Sequence, residues 1–267
     1  MTSFSSYAGT PAGPGYIQVS TDTNAVIAQL AGAAIQFTND GGATWTNATS
    51  SPTTPAASYW AWAGSNYLAK DWVTASKYYF IQYDGLNTGT IEVSTNGGQT
   101  WAGAGATFAS TGYLNVIKAV PGNAGDLFFS AGARFDLSGS AATIPALVAA
   151  HPATEPFYFS HDGGATKTAI AGFNEVISFG FTKAQSGGYP SIVLSGWGAN
   201  GYGEYRCDNF SDTSPNAGTW TYLGVPLWAD IPTDVSGDPN QWGRFSIAKQ
   251  GSSVEIGQVT GQPNSWP

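Results

Sequence analysis

Cysteine is nearly absent from this chain. Cys207 stands alone among 267 residues, so no internal disulfide staples the fold and no multi-cysteine metal site is available. Positive charge is almost as scarce: nine Lys and Arg, placed singly, face 17 Asp and Glu, for a net charge of −8. Such a chain has no basic stripe to neutralise phosphates, and no nucleic acid is expected as a partner. No apolar run approaches the roughly 18 to 20 residues of a spanning helix, and no membrane partner is expected. His151 and His161 are isolated and lack metal-ligand spacing; neither a metal nor a cofactor is expected. Charged residues make up 10% of the chain and aromatics 14%, the reverse of a disordered acidic chain, and the length allows a sizeable core. The start, Met1 to Ser6, has neither a basic nor an apolar leader segment, which reads as a mature form, a piece of a longer protein, or release without a standard signal. Little Lys together with much Thr, Ser, Ala, Gly and aromatic residue suits an extracellular or cell-surface location.

What is abundant is glycine, 35 residues of it, and much of it sits in one repeated phrase. Thr38-Asn39-Asp40-Gly41-Gly42-Ala43-Thr44-Trp45, Ser94-Thr95-Asn96-Gly97-Gly98-Gln99-Thr100-Trp101 and Ser160-His161-Asp162-Gly163-Gly164-Ala165-Thr166-Lys167 each follow a short apolar or alternating run. Asp or Asn bonds its own following backbone, paired glycines supply positive φ, and a hydroxyl ties the loop across itself. The closing Trp is expected to lie as an apolar plate between neighbouring sheets, a part that Lys167 cannot play. The pattern S-x-D-x-G-x-x-W is the Asp-box, read here as a fold staple rather than a catalytic element.

Box-final positions fall at 45, 101 and 167, with a degenerate partner at Gly218-Thr219-Trp220, so the intervals are 56, 66 and 53 residues. Spacings of that size suit one four-stranded blade plus loops, and the length accommodates about five. Strands are predicted at Tyr59 to Trp62, Tyr78 to Tyr83, Leu114 to Val120, Asp126 to Ala131, Val176 to Thr182, Ser191 to Ser195, Gly203 to Arg206, Phe245 to Lys249 and Val254 to Val259. The fold class is therefore all-β: a single β-propeller of about five four-stranded blades with Asp-box hairpins, spanning 1–267. Closure of the ring is expected from Tyr16 to Ser20 lying beside Gly243 to Val259.

Two stretches are more specific than the boxes. Lys118-Ala119-Val120-Pro121-Gly122-Asn123-Ala124-Gly125-Asp126-Leu127-Phe128, and Ile177-Ser178-Phe179-Gly180-Phe181-Thr182-Lys183-Ala184 leading to Gly188-Tyr189-Pro190-Ser191-Ile192, resemble the C-terminal propeller of glycoside hydrolase family 74. That family contains xyloglucanases and oligoxyloglucan reducing-end-specific cellobiohydrolases. Gly237-Asp238-Pro239-Asn240-Gln241-Trp242-Gly243-Arg244-Phe245 is similar to its closing blade, and the likeness is collinear from about Val19 to Val259. The resemblance implies two propellers facing each other across a cleft, one catalytic aspartate from each. No segment here matches the motif around the C-terminal catalytic aspartate, so no catalytic residue is carried over.

For substrate contact the candidates are Trp60 and Trp62, which a strand would point to one face, with Trp72 following. Trp197 and Tyr202, on what reads as a glycine-rich loop, and Trp228 beside Asp230 extend the set, since flat aromatic rings suit the apolar faces of pyranoses and rim loops often carry function. Packing between blades is the competing reading for Trp60, Trp62 and Trp72, and loop anchoring for the others. Asp40 and Asp162 belong to turns, and Asp126 is expected to bond backbone. Asp71, Asp84, Glu175, Glu204 and Asp230 have no assigned role. Asp208, Asn209, Asp212 and Asn216 offer hard oxygen ligands of the kind calcium takes, but a solvated loop is the expected reading.

The leading function is recognition of a β-linked polysaccharide such as xyloglucan, as a binding module or the incomplete half of a glycoside hydrolase. The alternatives are an active inverting endo-β-1,4-glucanase using two carboxylates roughly 6.5 to 9.5 Å apart, and a non-catalytic surface or appendage protein. A second propeller or further copies of the chain complete the expected partners.

Overall fold

The computed structural model describes residues 15–29, 33–54, 66–83, 88–110, 115–131, 157–225, 232–249 and 254–259. They form five antiparallel sheets, the blades of a β-propeller, with no α-helix among the described residues. The first sheet takes β1 (Gly15–Val19), β2 (Ala25–Gln29), β3 (Gln36–Thr38) and β4 (Thr46–Asn47); the second takes β5 (Leu68–Lys70), β6 (Tyr78–Tyr83), β7 (Thr88–Ser94) and β8 (Ala102–Ala109). The third contains β9 (Val116–Ala119), β10 (Leu127–Ser130), β11 (Phe157–Ser160) and β12 (Thr168–Ile170), and the fourth β13 (Phe173–Thr182), β14 (Ser191–Gly198), β15 (Gly201–Cys207) and β16 (Trp220–Gly224). The fifth has three described strands, β17 (Pro232–Gly237), β18 (Phe245–Lys249) and β19 (Glu255–Gly257). Within every sheet the strands lie side by side in chain order, which short local hairpins make cheap in loop entropy.

The repeated turns occupy the same place in each unit, between third and fourth strands, and the degenerate loop before Trp220 does too. In the first, the Thr38 hydroxyl accepts from Gly42 N at 2.9 Å and donates to Asp40 at 2.7 Å, while Asp40 accepts from Thr44 N and Thr44 Oγ1 at 2.9 and 2.6 Å. Ser94 and Asn96, then Ser160 and Asp162, repeat the arrangement. The Thr44 side-chain bond, with the Thr44 backbone and Thr38 bonds behind it, holds the exposed Asp40 carboxyl down at about 2. An NMR pH titration is expected to place the Asp40 midpoint there, and Thr44→Val to raise it; a midpoint in the ordinary carboxylate range would contradict the bonding described.

The closing Trp of the second copy is buried in the core. Trp101 lies edge-on to Phe80 of its own sheet, centroids 6.3 Å apart, and its indole N–H donates to Gly98 O at 3.0 Å. The turn backbone meets the neighbouring sheet: Thr49 N donates to Gln99 O at 2.8 Å, and Ala106 N to Gly164 O at 2.8 Å. Glycine permits that approach because it has no side chain to hold the chains apart. In the third copy Lys167 places Nζ 5.3 Å from the Tyr158 ring centroid, a cation–π contact where an indole would stand.

One expectation is corrected. The N-terminal run does not pair beside the last strands; β1 pairs antiparallel with β2, Val19 opposite Ala25 and Gly15 opposite Gln29. The turn between them is tight, with Ser20 N and Thr21 N both donating to Asn24 O, and a local hairpin forms at less entropic cost than a chain-end closure.

Two compact units divide the chain, Met1–Gly132 with Tyr158–Thr168 and Ala133–Phe157 with Ala169–Pro267. The first is cored by Val26, Ile35, Tyr67, Leu68, Phe80, Ile91, Ile117 and Phe129, all fully buried. In the second, Phe173 packs edge-on against Tyr205 and Trp220, and Val193, Val235, Phe245 and Ile247 form a smaller apolar cluster.

Candidate functional site

Of the aromatic candidates, Trp72 alone is described and exposed. It opens the turn between β5 and β6, where the buried Asp71 carboxylate accepts from Val73 N and Thr74 N at 2.9 and 2.8 Å. The same carboxylate accepts from Tyr79 Oη at 2.8 Å and Gly125 N at 2.9 Å. The tip is thus bolted to the sheet below while Trp72 remains 57% exposed beside an equally exposed Val73. Lys70 Nζ lies 4.3 Å from the Trp72 ring centroid and donates to Val19 O at 2.8 Å, which fixes the indole further.

Trp197 and Tyr202 fall elsewhere. The segment read as a loop is the hairpin joining β14 to β15, in which Trp197 pairs directly with Tyr202. Their rings are 4.7 Å apart and both side chains are buried, so cross-strand packing places them. Trp60, Trp62, Trp228 and Asp230 lie outside the described residues, as do Asp84 and His151.

Among the carboxylates, Asp71 is the buried hub just described. Asp126, fully buried, has its Oδ1 2.7 Å from Nδ1 of the exposed His161. The side-chain oxygens of the 208–216 loop have separate donors: Asp208 accepts from Arg206 and Trp242, Asn209 from Thr219 N and Cys207, Asp212 from Thr213 N, and Asn216 from Ala171 N.

Glu204 was left without a role by sequence, and the structure gives it a setting. Within the second unit a cleft of about 320 Å³ is lined by Glu204 and Arg206 of β15, Leu223 and Gly224 of β16, Val225, Phe245 and Ile247 of β18, and β19 with Gln258. Glu204 is only 5% exposed and neither carboxyl oxygen has a hydrogen-bond partner. Burial raises its pKa to about 8 against the opposing pull of Ser195 and Lys249, and Glu255 pushes the same way as burial. Lys249, its side chain buried, ion-pairs with Glu255 across the β18–β19 hairpin. No local sequence signal marks this cluster, because its members are 45 to 51 residues apart in pairs that involve Glu204.

No family model matches this chain. It is 24% identical over 260 residues to a xyloglucanase of Paenibacillus sp, an alignment taking in 96% of this chain and 21% of that protein. The solved glycoside hydrolase family 74 enzyme of Niastella koreensis superposes with a TM-score of 0.69 at 19% identity, covering 98% of this chain and 33% of that one. The fold is a family-74-like propeller. The family 74 xyloglucanase of Xanthomonas campestris gives a TM-score of 0.45 at 17% identity, over 93% of this chain and 38% of that one. This family-74-like chain spans about a fifth of the length of the curated relative it matches. The likeness meets the resemblance read from the inter-box phrases.

Proposed function

We propose that this propeller recognises a β-linked polysaccharide of the xyloglucan kind, as one propeller domain over 1–267 working outside the cell or on its surface, beside a second propeller or copies of itself. The observation that carries the reading is Trp72: a large indole held in water on a turn that Asp71 and Lys70 keep rigid. Exposing an aromatic plate forgoes its burial, and a preorganised plate loses little entropy when a sugar ring stacks on it. Similarity to a xyloglucanase along nearly the whole chain supports the same substrate class. Trp60, Trp62, Trp228 and Asp230 stay in the proposal as further contacts, while Trp197 and Tyr202, buried against each other, shape their hairpin instead.

The test is incubation of the chain with xyloglucan and related β-glucans, following both retention in affinity gels and new reducing ends. Retention without new reducing ends is expected; release of reducing ends would make the chain a hydrolase, and neither signal would end the carbohydrate reading. Trp72→Ala is expected to weaken retention about tenfold, or ~1.4 kcal/mol, with far-UV circular dichroism unchanged. Unchanged retention would remove Trp72 from the site.

A further inference from the structure

The geometry points to the Glu204 cleft as a binding site for a primary ammonium group on a short aliphatic stem. The inference is independent of the polysaccharide reading, which rests on the other unit. Two carboxyl groups line the cleft, Glu204 from β15 and Glu255 from β19, and the ammonium that pairs with Glu255, that of Lys249 on β18, is buried behind it rather than part of the lining. Arg206 also lines the cleft, but its Nε binds Asp208 at 2.8 Å and its guanidinium lies 5.2 Å from the Trp242 ring centroid. The set is therefore one cation short.

Glu204 is the group left over. It is buried with neither oxygen hydrogen-bonded, and a buried carboxylate without a partner is costly enough to take up a proton instead. An incoming ammonium supplies the missing charge and up to three N–H donors. Above the carboxyl, Leu223, Val225 and Ile256 form an exposed apolar rim, with Phe245 and Ile247 beneath. That lining suits methylenes better than it suits a hydrated inorganic cation. The volume lies at the lower end of small-ligand sites.

The proton bookkeeping gives the test its sign. The groups facing Glu204 are the Ser195 hydroxyl from β14, Lys249 from β18, Glu255 from β19 and Arg206 on its own strand. Below pH 8 the free cleft holds Glu204 protonated, so binding an ammonium must expel close to one proton per ligand, and affinity should climb about tenfold per pH unit from 6 to 7 before levelling above 8. A hydroxyl ligand would favour the protonated acid and expel none.

Calorimetric titration of the full chain with n-hexylamine at pH 6, 7 and 8, in two buffers of different ionisation enthalpy, measures affinity and proton release together. The expected result is binding with proton release, tighter at pH 8, with 1-hexanol and hexanoate at least tenfold weaker. Glu204→Gln should abolish the release and weaken hexylammonium at least tenfold, and Ile256→Trp, on the exposed rim, should weaken it by obstruction. Equal binding of 1-hexanol, absence of proton release, or unchanged binding by Glu204→Gln would overturn the proposal. Should that variant fail to fold, the carboxyl carbon shift of Glu204 in the unaltered chain decides: ionisation on adding hexylammonium supports the site, and persistence of the protonated form overturns it.

Discussion

Gly98→Ala is expected to destabilise the protein by about 3 to 4 kcal/mol, where most single substitutions cost about 1. Two effects add. Gly98 has φ +88°, a conformation that costs an L-residue about 1 to 2 kcal/mol. A Cβ there would lie 2.3 Å from Val26 Cγ2 and 3.2 Å from Phe37 Cβ, on the sheet next door. Overpacking of that kind adds about 1 to 3 kcal/mol because Val26, fully buried, has nowhere to move. Gly42 is the control: it occupies the same turn position at φ +93°, yet the nearest atom to its added Cβ is 3.9 Å away on its own Trp45. Gly42→Ala should therefore cost only the conformational part, about 1 to 2 kcal/mol. Chemical denaturation of both variants measures the difference, and equal losses would show that the turn does not bear on the adjacent sheet.

Asp71→Ala is expected to cost a similar amount, about 3 to 4 kcal/mol, by a different route. Four donors converge on this carboxylate. Val73 N and Thr74 N lie in an exposed turn where water can replace the lost acceptor, but Tyr79 Oη and Gly125 N are buried and would be orphaned. Each orphan costs about 1 to 3 kcal/mol, and the turn loses its anchor besides. The pH dependence separates this from a packing loss. Burial pushes the Asp71 carboxyl up, but the bonds from Thr74, Val73, Tyr79 and Gly125 outweigh it and hold the carboxyl below its ordinary value. Its folded pKa is depressed, so its stabilisation is present above the unfolded carboxylate pKa of about 4 and is lost as pH falls through the lower folded value. Stability curves taken from pH 6 down to 2 should show a smaller acid-induced loss in Asp71→Ala than in the parent chain; parallel curves would refute the role assigned to the carboxylate. Because the same bonds hold the Trp72 turn, this variant should also weaken polysaccharide retention.

Much of the fold was legible along the chain because propeller blades are local structures. Each box phrase carries its own bonding instructions within eight residues, so the hairpins, their spacing and strands such as β6 and β18 follow from nearest neighbours in sequence. The misreadings share one cause. Gly196 to Gly203 looks like loop because it is glycine-rich, yet Trp197 and Tyr202 gain more by packing across the hairpin than by facing water. Tyr16 to Ser20 was assigned a distant partner when β2 was five residues away.

By itself, then, the sequence determined the class of fold and the number of blades, which rest on short-range turn chemistry and strand periodicity, and, through the phrases between the turns, the likeness to a glycoside hydrolase propeller. Only the tertiary structure decided that Trp72 stays in water while Trp197 is buried, that Asp71 spans two sheets, and that Glu204 shares a cleft with Glu255, which Lys249 pairs from behind. Exposure and electrostatic company are properties of how sheets stack, set by contacts between residues some fifty positions apart, and no local pattern encodes them.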